Sequence, residues 1–161
     1  TVEFPYFITK SAPVTSMQGQ MDYDCKLTGS INSSGFDLTT EVTVPVTSLC
    51  PCSKEISDRG AHNQRSRVSI AVKTHDEPIW VDDLIAIAEE SASAPLYSLL
   101  KRPDEKFVTE QAYDNPVFVE DLVRGVAGCL KENNNISWFR VRSVNEESIH
   151  NHNAFAEITS G

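Results

Sequence analysis

Residues 36–46 read FDLTTEVTVPV. Phe36, Leu38, Thr40, Val42, Val44 and Val46 alternate with Asp37, Thr39, Glu41, Thr43 and Pro45, the period of two that gives a strand one dry face. The same character extends back to Met17: residues 17–47 are rich in Val, Thr, Ile and Tyr and are interrupted at Asn32-Ser33-Ser34-Gly35, which is turn chemistry. The two arms predict a long antiparallel hairpin. Pro45 has no N–H to give a ladder, so it predicts an edge or a bulge near the end of the second arm.

Downstream, residues 67–73 (RVSIAVK) alternate again and predict a third strand, after a polar loop over residues 50–64. Two helices follow. The first starts around Asp76-Glu77-Pro78, an acidic start with proline in the first turn, and puts Trp80, Leu84, Ile87 and Ala88 on one stripe. The second has Asn115 as its N-cap and Pro116 at its first position. Its apolar residues Val119, Leu122, Val123, Val126, Ala127 and Leu130 recur at three-four spacing, and it should stop near Asn133. Residues 138–144 alternate as a strand, and residues 155–158 return as its partner across a polar connection, 145–153. Strands, two helices, then strands predict an α+β plan, an antiparallel sheet with two helices on one face, in a single domain over residues 1–161.

With 161 residues and 40% apolar content, the chain can bury one core, which excludes a disordered chain. A net charge of −9 repels nucleic acid and anionic membranes, so neither is expected as a partner, and an anionic ligand needs a local basic pocket. No apolar run approaches the roughly 20 residues of a bilayer span. Residues 1–25 carry neither a basic start nor a continuous apolar segment of a signal peptide. Four cysteines are few for a disulfide scaffold, and Cys50 and Cys52 are separated by one proline, too close to bridge easily. These features predict a soluble protein of a reducing cytoplasm. The chain opens at Thr1 without an initiator methionine, so a processed, truncated or partly ordered product of something longer is expected.

Reactive side chains concentrate in residues 49–67. Cys50 and His62 supply a thiolate and an imidazole, donors that zinc and other transition metals favour. Lys54, Arg59, Arg65 and Arg67 outnumber Glu55 and Asp58, so an anion can sit there. Spacing alone also allows a solvated loop with incidental cysteines, because the pair is not the repeated CxxC of structural zinc sites. In residues 148–152 (SIHNH), His150 and His152 share one face if the stretch is extended. An acidic group follows Arg102-Pro103 at Asp104-Glu105, and Glu120 adjoins the apolar stripe of the second helix. At that position Glu120 reads either as a dipole-compensating carboxylate or as a group with chemistry. Cys25 and Cys129 look like small buried or half-buried residues without a role.

Longer motifs go further. VPVTSLCPCSKEISDRGAHNQRSRV (residues 44–68), LLKRPDEKFVTEQAYDNPVFVEDLVR (99–124) and SIHNHNAFA (148–156) occur in that order, preceded by FPYFITKSAPVTSMQGQMDYD (4–24). Together they closely resemble prokaryotic GTP cyclohydrolase IB, of the tunnelling-fold superfamily. The resemblance covers essentially the whole chain, which corresponds to roughly the C-terminal two thirds of a family member, so an N-terminal portion is expected to be missing. It implies a ββααββ module whose sheets join into a barrel, and a homotetramer with active sites at subunit interfaces. The implied reaction opens the guanine imidazole ring of GTP by hydrolysis, releasing formate and giving 7,8-dihydroneopterin triphosphate, the entry to folate synthesis.

Residue by residue, the resemblance makes Cys50 of CPC, His62 of AHNQRS, Glu105 of RPDEK and His150 of IHNH the metal site, for zinc, manganese or iron. It makes Glu120 of FVED the purine anchor, Cys52 and His152 the candidates for proton transfer, and Lys54, Arg59, Arg65 and Arg67 the candidates for holding the triphosphate. Two other readings stand beside it. One is a 7-cyano-7-deazaguanine reductase-like enzyme with a nucleophilic cysteine and NADPH. The other is an inactive binding or assembly module.

Overall fold

A computed structural model describes residues 1–33 and 35–160. It is α+β: a seven-stranded antiparallel sheet with four helices. In chain order the elements are β1 (Val2–Ser11), β2 (Gln18–Asn32), β3 (Gly35–Leu49), α1 (Pro51–Ile56), β4 (Asn63–Thr74), α2 (Val81–Glu90), β5 (Ala94–Pro95), α3 (Arg102–Asp114), α4 (Val119–Glu132), β6 (Ile136–Glu146) and β7 (Ala154–Thr159). The strands run β1-β2-β3-β4-β6-β7 across the sheet, and the short β5 adds to β3.

Period-two alternation sets the core. Tyr23 and Cys25 of β2, Val42, Val44 and Val46 of β3, Val68, Ile70 and Val72 of β4, and Phe139 and Val141 of β6 all turn to one side of the sheet. There they meet Leu84, Ile85 and Ala88 of α2 and Leu122, Val123, Val126, Ala127 and Leu130 of α4. Each such Val, Leu or Ile gains about 1.5–3 kcal/mol on burial, so these stripes decide where the two helices lie. The other side carries the intervening residues, among them Arg65 and Arg67, and is polar.

The 17–47 hairpin is β2 and β3, paired from Asp24↔Thr43 to Asn32↔Gly35; of the expected turn, Ser34 lies outside the described residues. Pro45 stands within a central strand, but at a gap: the β2 ladder stops at Thr43 and the β5 ladder begins at Val46. A residue without an N–H is tolerated there for the reason it is tolerated at an edge.

Several boundaries differ from the sequence reading. Residues 2–11 form an edge strand, β1, whose Phe4, Tyr6 and Ile8 pack on the core while Pro5 is accommodated at the margin of the sheet. The 50–64 loop contains α1, and β4 begins at Asn63 instead of Arg67. The first expected helix starts at Val81, with Trp80 as its N-cap and 75% exposed, so Trp80 is not on the buried stripe. Asn115 does not cap α4. It is the C-cap of α3, its side-chain amide donating to the Ala92 carbonyl at 2.8 Å, and α4 starts at Val119 behind Phe118. Two helices therefore become four. Cys129 is exposed on α4, against the expected burial, whereas Cys25 is 4% exposed in the core.

Asp104 supports the helical layer without exposing any of its surface. It sits at the third position of α3 and accepts the Lys101 amide at 2.9 Å. It also accepts the Val14 and Thr15 amides at 2.9 and 2.8 Å and the Thr15 hydroxyl at 2.7 Å, pinning the β1–β2 connection. Burial alone would raise its pKa, but the hydrogen bonds from Thr15, Lys101 and Val14 outweigh burial and hold the carboxyl well below the usual range.

Candidate active site

The strands β3, β4, β6 and β7 all have an end at one edge of the sheet, and the N-terminus of α4 points there as well. Around that meeting point lies a cavity of about 300 Å³. Cys50 and Cys52 line it from the β3–α1 junction, His62 and Gln64 from the start of β4, and Val117–Glu120 from the entry to α4. Asn145, Glu147 and His150 close the far side with Ala154 of β7.

Local sequence explains why Cys50 and His62 are neighbours. Pro51 pre-sets the first turn of α1 and Cys50 stays extended as its N-cap. Gly60, at φ +146°, then reverses the chain in a backbone conformation that L side chains rarely adopt. The result is a hydrogen bond from the Cys50 amide to the His62 carbonyl, 3.1 Å. Ser53 reinforces it, its hydroxyl donating to the Cys50 carbonyl at 3.1 Å and accepting the His62 amide at 3.2 Å. On the ring, His62 Nδ1 lies 3.0 Å from Ser148 Oγ.

Beneath the cavity is a buried polar layer. The Ser66 hydroxyl donates to Asn145 Oδ1 at 2.6 Å, the Asn145 amide donates to Ser48 Oγ at 3.3 Å, and the Ser48 hydroxyl donates to the Val117 carbonyl at 3.0 Å. Val117 in turn donates its amide to the Leu49 carbonyl at 3.1 Å, so the entry to α4 is tied to the end of β3. Gln64 is 8% exposed, and its Oε1 is buried without a hydrogen-bond partner among the described residues.

The structure thus brings Cys50, Cys52, His62, Glu120 and His150 around one cavity. His152 stacks on His150 with ring centroids 5.3 Å apart, although residues 148–152 form a bent loop, so the pair meets by stacking and not by strand alternation. Glu120 is exposed in this single chain, not held in a dry pocket. The first turn of α4 sits at the cavity mouth, which leaves its carboxylate in solvent.

The remaining predicted residues lie elsewhere. Glu105 does not line the cavity; it is in the first turn of α3, paired with Arg102 at 2.8 Å. Lys54 lies over the Tyr113 ring at 4.3 Å and donates to the Tyr113 carbonyl. Arg59 lines an adjoining open groove with His62 and Ile149. Arg65 and Arg67 point to the opposite side of the sheet from Gln64 and Ser66, and Arg67 pairs with Glu146 at 3.1 Å. The four cations therefore do not form one cluster within the chain.

The sequence reading assigns no role to Gln64, Asn145, Glu147 or Ser148, although Gln64 and Ser148 fall inside the segments it singles out. A signal existed for two of them: Gln64 and Asn145 are polar residues on the dry phase of alternating strands, where an apolar side chain is the default.

In kind, a thiol and two imidazoles around one cavity suit a borderline-soft divalent cation. Among the described residues no three His, Cys, Asp or Glu side chains are gathered into a cage that could hold one. Cys50, His62 and His150 line the same cavity without forming such a cage.

Comparison with known proteins gives the chain a family. The model of the family described as type I GTP cyclohydrolase folE2 matches residues 1–156. A protein named GTP cyclohydrolase FolE2 from Desulfosudis oleivorans is 56% identical over 161 residues, covering 99% of this chain and 62% of that protein. One of the same name from Nitrosococcus oceani is 57% identical over 155 residues, with 96% and 58% covered. Another, from Fervidobacterium nodosum, is 52% identical over 159 residues, with 99% and 60% covered. The chain spans about three fifths of the length of these curated relatives. It belongs to the type I GTP cyclohydrolase folE2 family.

Proposed function

We propose that this chain is the catalytic module of a GTP cyclohydrolase of the IB type. The reaction is hydrolytic opening of the guanine imidazole ring of GTP, releasing formate and yielding 7,8-dihydroneopterin triphosphate, the first step of folate biosynthesis. The observation that carries this reading is the single cavity of about 300 Å³ shared by Cys50, Cys52, His62, Glu120 and His150. Its volume admits a purine, and Val117, Phe118 and Val119 offer apolar surface to the faces of the base.

Cys50, His62 and His150 would hold a divalent transition metal, and Glu105, outside this cavity within the chain, would be a further ligand only in an assembly. When bound, such a cation lowers the pKa of water toward neutrality, so that hydroxide is available at pH 7. Glu120 orients the base: its two oxygens accept from the guanine N1–H and the exocyclic amine. Cys52 and His152 hand a proton to N7 or N9 as the ring opens. Arg59, in the groove that shares His62, and Lys54 of α1 take the triphosphate. Arg65 and Arg67, on the opposite side of the sheet, serve it where subunits meet.

The fold is a tunnelling-fold module. Its support is the open sheet with β1 and β7 at its margins, which can join the sheets of other copies into a barrel. The assembly is a homotetramer with active sites at subunit interfaces, in the cytoplasm. Among the described residues no helix is long and apolar enough to cross a membrane.

The test is to incubate the full-length protein with divalent metal and GTP, then measure formate and, after oxidation, pterin fluorescence. Formate and pterin in equal amounts are expected. NADPH oxidation with a nitrile substrate and no formate from GTP would replace this reading with the reductase-like one.

A further inference from the structure

We propose that Ser148 is a positioning residue that sets His62 to bind a divalent cation through Nε2; this rests on the reading that Cys50 and His62 hold that cation. The backbone of His62 is fixed from the Cys50 side, by its carbonyl on the Cys50 amide at 3.1 Å and its amide on Ser53 Oγ at 3.2 Å. Neither contact fixes the ring. The ring is held by Ser148, whose Oγ lies 3.0 Å from Nδ1. A neutral imidazole has one N–H and one lone pair, so an Nδ1–H donating to the serine hydroxyl leaves the lone pair on Nε2. Hydrogen bonding at the non-ligating nitrogen is what selects tautomer and ring direction in histidine ligands generally.

The same hydroxyl docks a loop. Ser148 belongs to residues 147–153, which the Glu147 amide closes by donating to Asn153 Oδ1 at 3.3 Å, and within which His150 and His152 stack. His150 lines the cavity from this loop. One contact therefore orients one imidazole and brings up the segment that carries a second.

The test compares the full-length protein with Ser148→Ala, Ser148→Thr and Cys50→Ala variants. Zinc affinity is measured by competition with a chromophoric chelator at fixed pH, and the absorption of the cobalt(II)-loaded proteins reports the thiolate–metal bond. Ser148→Ala should weaken zinc by about 10- to 100-fold and shift the cobalt spectrum, with an unchanged thermal midpoint before loading. Ser148→Thr, which keeps the hydroxyl, should lie closer to wild type than to Ser148→Ala. Wild-type zinc affinity in Ser148→Ala, or equal weakening in the Thr and Ala variants, would overturn the assignment. If Cys50→Ala also bound zinc as wild type does, the cation-site reading itself would fall. Zinc lost in Cys50→Ala but kept in Ser148→Ala would overturn the Ser148 assignment alone.

Discussion

The amide of Cys50 donates to the carbonyl of His62 at 3.1 Å, across the mouth of the connection between β3 and β4. This bond joins the last residue before α1 to the last residue before β4, so eleven intervening residues loop out and return to the same point. Two side chains with metal-ligating atoms thus leave the backbone side by side, and both line the cavity that also receives Glu120. Proximity fixed by backbone hydrogen bonding leaves only the two side chains to be ordered when a ligand arrives, which is the physical basis for treating the pair as a partly prepared site.

Cys50 and Glu120 should separate cleanly by substitution. In Cys50→Ala, bound metal and formate release should be lost together. In Glu120→Ala, metal should be retained while KM for GTP rises by about 10- to 100-fold, the range expected for removing hydrogen bonds to a charged group. Metal analysis alongside steady-state kinetics checks both.

The thiols should react in a fixed order. Burial pushes the Cys25 thiol up to about 11, with the Asp24 charge adding to the effect, so it stays protonated at neutral pH. Cys52 and Cys129 are exposed. Alkylation followed by mass spectrometry should label Cys52 and Cys129 first in the native protein, and Cys25 only under denaturing conditions.

Asp104 should make stability depend on pH in the acid range. Its folded pKa is depressed, so the stabilisation is present above the unfolded value of about 4 and is lost as pH falls below it. Asp104→Asn should lower the urea midpoint at pH 7, because four hydrogen bonds converge on the carboxylate. The gap between variant and wild type should narrow as the titration is repeated from pH 5 down to pH 3. A gap independent of pH would show that the charge is not what matters.

Gln64 carries a buried acceptor with no partner among the described residues. Leaving such a group unsatisfied costs about 1–3 kcal/mol, so Gln64→Met, similar in length and apolar, should leave the unliganded protein as stable as wild type or up to about 1 kcal/mol more stable. Urea unfolding without nucleotide or metal checks this. A clear loss of stability would mean that the amide is engaged in the folded state.

The sequence made β3 and α4 legible because their apolar spacing is regular and nearly all of those positions are buried: Val42, Val44 and Val46 in one, Leu122 to Leu130 in the other. It concealed α3. Of its thirteen residues only Asp104 and Ala112 are buried, so there is no apolar stripe to detect, and the Asn115-Pro116 pair that looks like a helix start follows its end. The missed β1 is an edge strand with only half-buried core-side residues and a proline in its run. At the site, Cys50, His62 and Glu120 could be named from motifs, whereas Ser148 and Gln64 owe their places to strand register and loop docking. A composition-level basic cluster, Lys54 to Arg67, dissolves once strand alternation sends Arg65 and Arg67 to the far side of the sheet.

The most direct measurement is anomalous diffraction, at a transition-metal absorption edge, from crystals of the full-length protein grown with the metal it purifies with. The account predicts one peak per subunit bonded to Cys50 Sγ and His62 Nε2, at the cavity that Glu120 lines. A peak elsewhere, with those two side chains unbonded to it, would contradict the account.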